Sequence, residues 1–261
     1  MPVVVFAAQG DPRRTMALLW RRADQAEVRP GPRPTLSADA IVEAAVAVAD
    51  AEGMAGLSMR AVGERLGRTA MALYTYVADK SELLDLMYDH VHGELGAGPA
   101  EDWRAGVTAW AEELWAFYLR HPWVLHVSMA RPVLGPNELD SAERLLRVLE
   151  PAALPGPVLR GVVSQLNYLV QGAARMVTDS RRAARETGQS DEDWWYARSA
   201  ELVEVAPDFG ARYPLLTLLE SNKDVTPNET VPYMEHEARS SFEVGLRVLL
   251  DGIEAARLTG G

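Results

Sequence analysis

Residues 56–80, GLSMRAVGERLGRTAMALYTYVADK, constrain this chain more than any other stretch. They read as two short helices about a tight turn. Ser58 stands where an N-cap is needed, and Leu57 and Val62 occupy the N′ and N4 positions of a hydrophobic staple. Val62 and Leu66 make a short apolar face, and Gly67 can take the left-handed conformation that ends a helix. Thr69 is placed to cap a second helix whose inner edge is Leu73 and Val77. Its outer face is left with Ala70, Met71, Tyr74 and Tyr76, small or aromatic and uncharged. Asp79, with Glu82 three residues on, opens a third helix as a capping box. Two short helices with an outward face on the second form the pattern of a helix-turn-helix, which lays its second helix in the DNA major groove.

From Leu36 to Leu95 the chain resembles the DNA-binding head of the TetR family of bacterial transcriptional regulators. The residues that carry the resemblance are Ala51-Glu52-Gly53 at the end of a first helix, Leu57-Ser58-x-Arg60, Leu66-Gly67, Leu73-Tyr74-x-Tyr76-Val77, Lys80 and Leu83-Leu84. The resemblance implies an all-α fold: a small three-helix head with a helix-turn-helix, joined to a larger helical-bundle regulatory domain. It implies a ligand-responsive repressor that binds a palindromic double-stranded operator as a homodimer and is released by a small hydrophobic or aromatic effector. Carried onto this sequence, it gives Ser58, Thr69 and Tyr74 contacts to phosphates and sends Arg60 to a base or the backbone. It puts Ala70, Met71 and Ala72 at the groove-facing start of the recognition helix, with Tyr76 and Lys80 making further backbone contacts. Packing is the competing role for Tyr74 and Tyr76. Apart from Arg68 beside the turn, no Arg, Asn or Gln stands at the groove-facing start. Bidentate base readout therefore falls to Arg60 and Arg68, and apolar contact with thymine methyls to the residues between.

The remainder of the chain bounds these expectations. At 261 residues it is long enough for one large or two ordinary domains, and its 48% hydrophobic content is that of a globular protein. With no cysteine there is no disulfide and no thiolate metal site. The apolar start MPVVVFAA is short and lacks a basic lead, so it does not read as a signal peptide. No run approaches the length of a membrane span. The expectation is a soluble cytoplasmic protein without cofactor or metal. The sequence carries no nucleophile elbow, phosphate loop, His-Glu-x-x-His zinc motif or paired carboxylates on one face, so a helical enzyme is disfavoured. Two rival readings stay open: a head that serves only as a protein-interaction module, and a regulator that answers to no small ligand.

Net charge is −11, which opposes nucleic-acid binding by the molecule as a whole. Its distribution divides the chain. Residues 1–35 form an extension in which six arginines face three acidic residues, a net of +3. Residues 36–95 form the head, where four basic side chains face ten acidic ones, a net of −6 from Ser37 onward. The resemblance makes residues 96–261 the helical ligand-binding and dimerisation domain. A head so acidic invites help, and Arg29 and Arg33 lie just ahead of its first helix. The extension is therefore expected to act as a basic arm, with Arg13, Arg14, Arg21 and Arg22 following the backbone or a narrow minor groove. Against the arm stand a partly disordered tail and docking on the protein itself through Leu18, Leu19 and Trp20.

In the second domain the helix from Val158 to Glu186 is apolar over more than one stripe, so it must be buried on most sides. The last helix, from Glu237 to Arg257, lines up Phe242, Leu246, Leu249 and Ile253 with Gly245 and Gly252. In the family such helices build a four-helix bundle with their symmetry mates, and these two are the candidates for homodimerisation. Trp110, Trp123, His126, Asn167, Gln171 and Trp194 are the candidate ligand-binding residues: aromatic walls with a few polar groups suit a small-molecule pocket. For each Trp, and for His126, a place in the core is the competing role.

Overall fold

The computed structural model describes residues 5–24, 36–96, 102–221 and 232–259, with the side chains of 21–24 and 258–259 set aside. All the elements are helical: α1 Pro12–Asp24, α2 Ala38–Gly56, α3 Met59–Leu66, α4 Ala70–Leu73, α5 Lys80–His92, α6 Trp103–Arg120, α7 Pro136–Leu149, α8 Gly156–Thr187, α9 Asp191–Val205, α10 Phe209–Arg212, α11 Pro214–Ser221 and α12 Tyr233–Thr259. Short 3-10 turns at Pro122–His126 and Glu150–Ala152 join them. Among the described residues the only β pairing is an isolated parallel bridge between Val5 and Val127. The chain forms two compact units, residues 1–171 with 246–261, and residues 172–245.

In the first unit α2 is the hub, packing against α3, α5 and the 122–126 turn, while α5 packs against α7. Ile41, Val42, Ala45, Val48 and Ala49 of α2 are buried, as are Val62, Leu73, Val77, Leu83, Met87 and Val91 of the other head segments. The boundaries follow local chemistry. Ser37 Oγ accepts from the Ala40 N–H at 3.1 Å at the start of α2. Gly53, at φ 69°, breaks it before a last turn. Asp102 caps α6, accepting from the Ala105 N–H at 2.8 Å, and His121-Pro122 ends it.

The largest departure from expectation lies before the head. Instead of a free arm, residues 5–24 lie on the first unit. Helix α1 packs on α5 and α7, with Leu19 only 1% exposed, a burial that contributes about 2 kcal/mol. Arg14 donates from Nε to both oxygens of the buried Glu82, at 2.8 and 3.2 Å. Of the four expected arm arginines, Arg14 is thus committed to the protein. Docking through Leu19 and Trp20 is the arrangement seen. Helix α1 runs over thirteen residues, longer than the turn or two that MALLWRR by itself suggests. Arg29 and Arg33 lie outside the described residues, as do residues 97–99 of the hinge that Gly96–Pro99 suggests by sequence and residues 222–231 of the polar stretch Asn222–Pro232.

Helix α8 is buried in this chain along one stripe only, Leu166, Val170, Ala174 and Val177. Val158, Tyr168 and Met176 remain exposed on it, as do Val244 and Val248 on α12. On α12 the buried positions are Ala238, Phe242, Leu246, Leu250 and Ile253, so Leu250 rather than Leu249 faces inward. In the second unit α9, α10 and α11 bury none of their residues, and Arg181 of α8 holds Glu235 of α12 by two hydrogen bonds of 2.7 Å.

Candidate nucleic-acid interface

The interface is built from the turn outward. Ser58 Oγ accepts from the Ala61 N–H at 3.1 Å and fixes the start of α3. Gly67 takes φ 64° and ψ 34°, the left-handed C-cap, and its N–H and that of Arg68 close onto Glu64 and Gly63 carbonyls. Helix α4 then begins only three residues after α3 ends. Gly63 makes this approach possible. A Cβ there would stand 2.7 Å from the Arg68 carbonyl oxygen and 3.2 Å from the Ala70 nitrogen. Leu73 and Val77 are fully buried beneath α4.

The outer face is open. Arg60 is 84% exposed and Met71 76%, and Arg68, Thr69, Tyr74 and Tyr76 are exposed beside them. Ala70 and Ala72 are half-buried. Arg60 faces Glu64 at 3.6 Å, an exposed pair worth under about 1 kcal/mol that a phosphate can displace. The sequence led us to expect a second helix reaching Val77, but regular α structure stops at Leu73. Tyr76 and Val77 still bond back to the Leu73 carbonyl, through turns rather than helix. Aromatic and β-branched residues at 74–77 hold a helix poorly once its inner edge is anchored. Lys80 also departs from expectation: its Nζ donates to the Leu57 carbonyl at 2.6 Å and braces the α2–α3 junction. Thr69 stands at the N-cap of α4, yet its hydroxyl makes no cap hydrogen bond. Ser58→Ala should therefore cost about 1 kcal/mol in urea unfolding, and Thr69→Ala only a few tenths. Equal losses would contradict this difference in capping.

The head's charge is arranged, not neutralised. Of its ten acidic side chains, Asp50, Glu82, Asp85, Asp89 and Glu94 are engaged away from the α3–α4 face. His121, 3% exposed, places Nδ1 2.8 Å from Asp50 Oδ1 and Nε2 3.2 Å from Glu94 Oε2. The Trp123 indole N–H joins the same Asp50 oxygen at 2.9 Å, and Arg120 pairs with Glu94. Burial alone would push the His121 imidazole down, but the two carboxylates overcome it and hold it above its ordinary value. Both ring nitrogens then donate, as only the imidazolium can. Asp89 takes the Glu138 N–H at 3.0 Å and the Asn137 amide at 3.1 Å from α7. Asp85 takes the Ala8 N–H at 2.8 Å, and burial raises it to about 6.

These contacts redistribute the candidate ligand residues. Trp123 is 1% exposed with its N–H held by Asp50, so it secures the head instead of lining a pocket. Trp110 is buried in α6, and Asn167 and Gln171 are half-buried one turn apart on α8, with the Asn167 amide donating to the Val163 carbonyl at 2.9 Å. The His126 carbonyl accepts the Val5 N–H, with its ring half-buried. Trp194 lies in the second unit, 44% exposed, edge-on to Trp195. His121 and Asp50 were missed by reading motifs. The available signal was a His-Pro-Trp run at the end of a helix, which carries no chemistry until its partners are placed. Among the described residues no cluster suited to a metal ion occurs, and no helix is long and apolar enough to cross a membrane.

Comparison with known proteins decides the family. A family model for bacterial regulatory proteins of the tetR family matches residues 41–87, and one for the tetracyclin repressor-like C-terminal domain matches residues 95–257. The chain belongs to the TetR family. The HTH-type transcriptional repressor DrrR1 of Streptomyces coeruleorubidus is 40% identical over 257 residues, 95% of this chain and 87% of the relative. The TetR-family protein ActR of Streptomyces coelicolor, in complex with actinorhodin, superposes with a TM-score of 0.64 at 24% identity, over 86% of this chain and 97% of ActR. The regulator SCO7222, a TetR from the same organism, gives 0.59 at 27% identity, over 85% and 99%. The TetR fold, a helix-turn-helix head with a larger helical domain, is the one expected from residues 36–95.

Proposed function

We propose that this TetR-family regulator is a repressor that binds a palindromic operator as a homodimer and lets go when a small aromatic or polyketide-like molecule binds the domain beyond residue 96. The observation that carries the reading is the α3–α4 face. Arg60, Arg68, Thr69, Met71, Tyr74 and Tyr76 are among its exposed residues, with Arg65 and Glu64, while five head carboxylates are engaged elsewhere. Ser58, Thr69, Tyr74 and Tyr76 would meet phosphates, Arg60 and Arg68 base edges, and Ala70, Met71 and Ala72 thymine methyls. Arg29 and Arg33, just before α2, would add backbone contacts. Exposed Val158, Tyr168, Met176, Val244 and Val248 support α8 and α12 as the dimer faces. Two heads in one dimer would meet half-sites about 34 Å apart.

For the effector, Trp110, Asn167 and Gln171 are the residues we retain, with His126 and Trp194 second to them. ActR, which shares this fold, is known in complex with actinorhodin, and that likeness supports a small-molecule effector. Binding of such a molecule can shift the heads by no more than its differential affinity for the two states. Footprinting on DNA flanking the gene should protect an inverted repeat, and light scattering should give a dimer. Arg60→Ala should lower operator affinity by about 1–3 kcal/mol and relax the preference at the base pair it reads. A monomer at micromolar concentration, or no protected DNA, would sink the proposal.

A further inference from the structure

Residues 5–24 bridge two parts of the first unit that also meet where α5 packs on α7 and α2 on the 122–126 turn. On one side lies α5, the closing helix of the head. Its residues Glu82, Asp85 and Asp89 are spaced to share a face, and all three are buried. Arg14 holds Glu82, and the Ala8 N–H holds Asp85. On the other side lies the segment after α6. The Val5 N–H donates to the His126 carbonyl and the Ser128 N–H to the Val5 carbonyl, both at 2.9 Å. Arg131 stacks over the Phe6 ring at 5.5 Å, and the Trp20 indole N–H donates to the Leu134 carbonyl at 3.2 Å. Ala7 and Leu19 are buried between these contacts. Ala8 and Leu134, two of three described non-glycine residues at positive φ, both stand at this dock. A strained backbone persists only where its surroundings fix it.

Asp89 completes the arrangement. It is bound from the other side by Asn137 and the Glu138 N–H of α7. The same face of α5 is thus gripped by the N-terminal segment at 82 and 85 and by α7 at 89. Where α5 sits decides where α3 and α4 sit, because all three pack on α2 or on one another.

We propose that residues 5–24 are a strap that positions the head for operator binding through α5, with Arg14 as its principal positioning residue, and that they make no contact with DNA. The inference rests on the operator-binding reading above. A DNA arm and a strap both predict weaker binding on deletion, but they differ in salt dependence. An arm releases counterions, whereas a strap changes the fit of contacts made elsewhere.

The test is operator binding across a salt series by the full chain, a variant lacking residues 1–24, Arg14→Gln and Arg14→Lys, each checked for a melting temperature well above the assay. The strap predicts that the truncation and Arg14→Gln weaken binding tenfold or more at every salt concentration, with the slope unchanged within about 1. Arg14→Lys, which keeps the charge beside Glu82, should recover part of that loss. A synthetic peptide of residues 1–24 added to the truncated protein should restore affinity, an effect a DNA arm acting as a tether would not give. A slope flattened by about 2 or more on truncation, with Arg14→Gln alone near wild type, would replace the strap with an arm. Unchanged affinity in a folded truncation would also overturn it. If the full chain itself binds no operator, the operator reading fails and not the strap alone.

Discussion

Replacing Gly63 with alanine is expected to abolish tight operator binding while leaving the protein folded. Gly63 lies inside α3, where alanine is intrinsically better by about 1 kcal/mol. The new Cβ, however, would sit 2.7 Å from the Arg68 carbonyl oxygen, 3.3 Å from the Thr69 carbonyl carbon and 3.2 Å from the Ala70 nitrogen. All three are backbone atoms, so no side chain can swing aside. The turn must open, and overpacking of this kind costs about 1–3 kcal/mol. Part of that cost is offset by helix propensity, so the melting temperature should move little. The displacement falls on Thr69 and the first turn of α4, the residues proposed above to meet phosphate and groove. A shift of a few tenths of an ångström there misaligns several contacts together, and a loss of tenfold or more follows at about 1.4 kcal/mol per decade. Titration of labelled operator, alongside thermal melts, checks both halves. Wild-type affinity in the alanine variant would show that the close approach of α3 and α4 is not what shapes the interface.

The second large effect belongs to His121. It lies beneath α2 at the end of α6, faced by Asp50 of α2, by Glu94 beyond α5 and by Arg120 of its own helix, with the Trp123 indole and the buried His92 nearby. Replacing it with glutamine removes the charge and at least one of two charge-assisted hydrogen bonds. Asp50 and Glu94 retain some solvent, so the loss should be about 2–3 kcal/mol rather than the full cost of a stranded buried ion. The dependence on pH gives a separate reading. The folded-state imidazole is raised above its ordinary 6.5. Its stabilisation is therefore complete below pH 6.5 and is lost as pH rises through the folded value. Burial raises Asp85 to about 6 and lowers His92 to about 4, so both change protonation below this window. Urea unfolding from pH 7 to about 9 should show wild-type stability declining and His121→Gln lacking that decline. Parallel slopes in the two proteins would mean that His121 is neutral in the folded state. Because His121 ties α2 of the head to α6, operator affinity should fall along the same curve.

The helix-turn-helix was legible in the sequence because its determinants are local. Ser58 caps, Gly67 turns and Asp79 caps again through groups within a few residues of each other, and periodicity places Val62, Leu73 and Val77 inside. The ends of α6 and α7 have local determinants too, since proline and capping residues act where they stand. The extension and the head's charge were not legible. Arg14 and Glu82 are 68 positions apart, Ala8 and Asp85 are 77, and His121 and Asp50 are 71. Counting charge treated ten carboxylates as one acidic field, though five of them are engaged by the N-terminal segment, a histidine and a helix start far along the chain, with one Asp85 oxygen left buried without a hydrogen bond. Composition could not separate an arm from a strap, since both are arginine-bearing and amphipathic. Only packing decides which arginine meets a carboxylate before it can meet a phosphate. Local propensity and capping set the helices and the turn that presents α4. Which charged groups remain facing outward was settled by tertiary packing, because electrostatic partners are chosen by distance in space and local propensity carries no information about them.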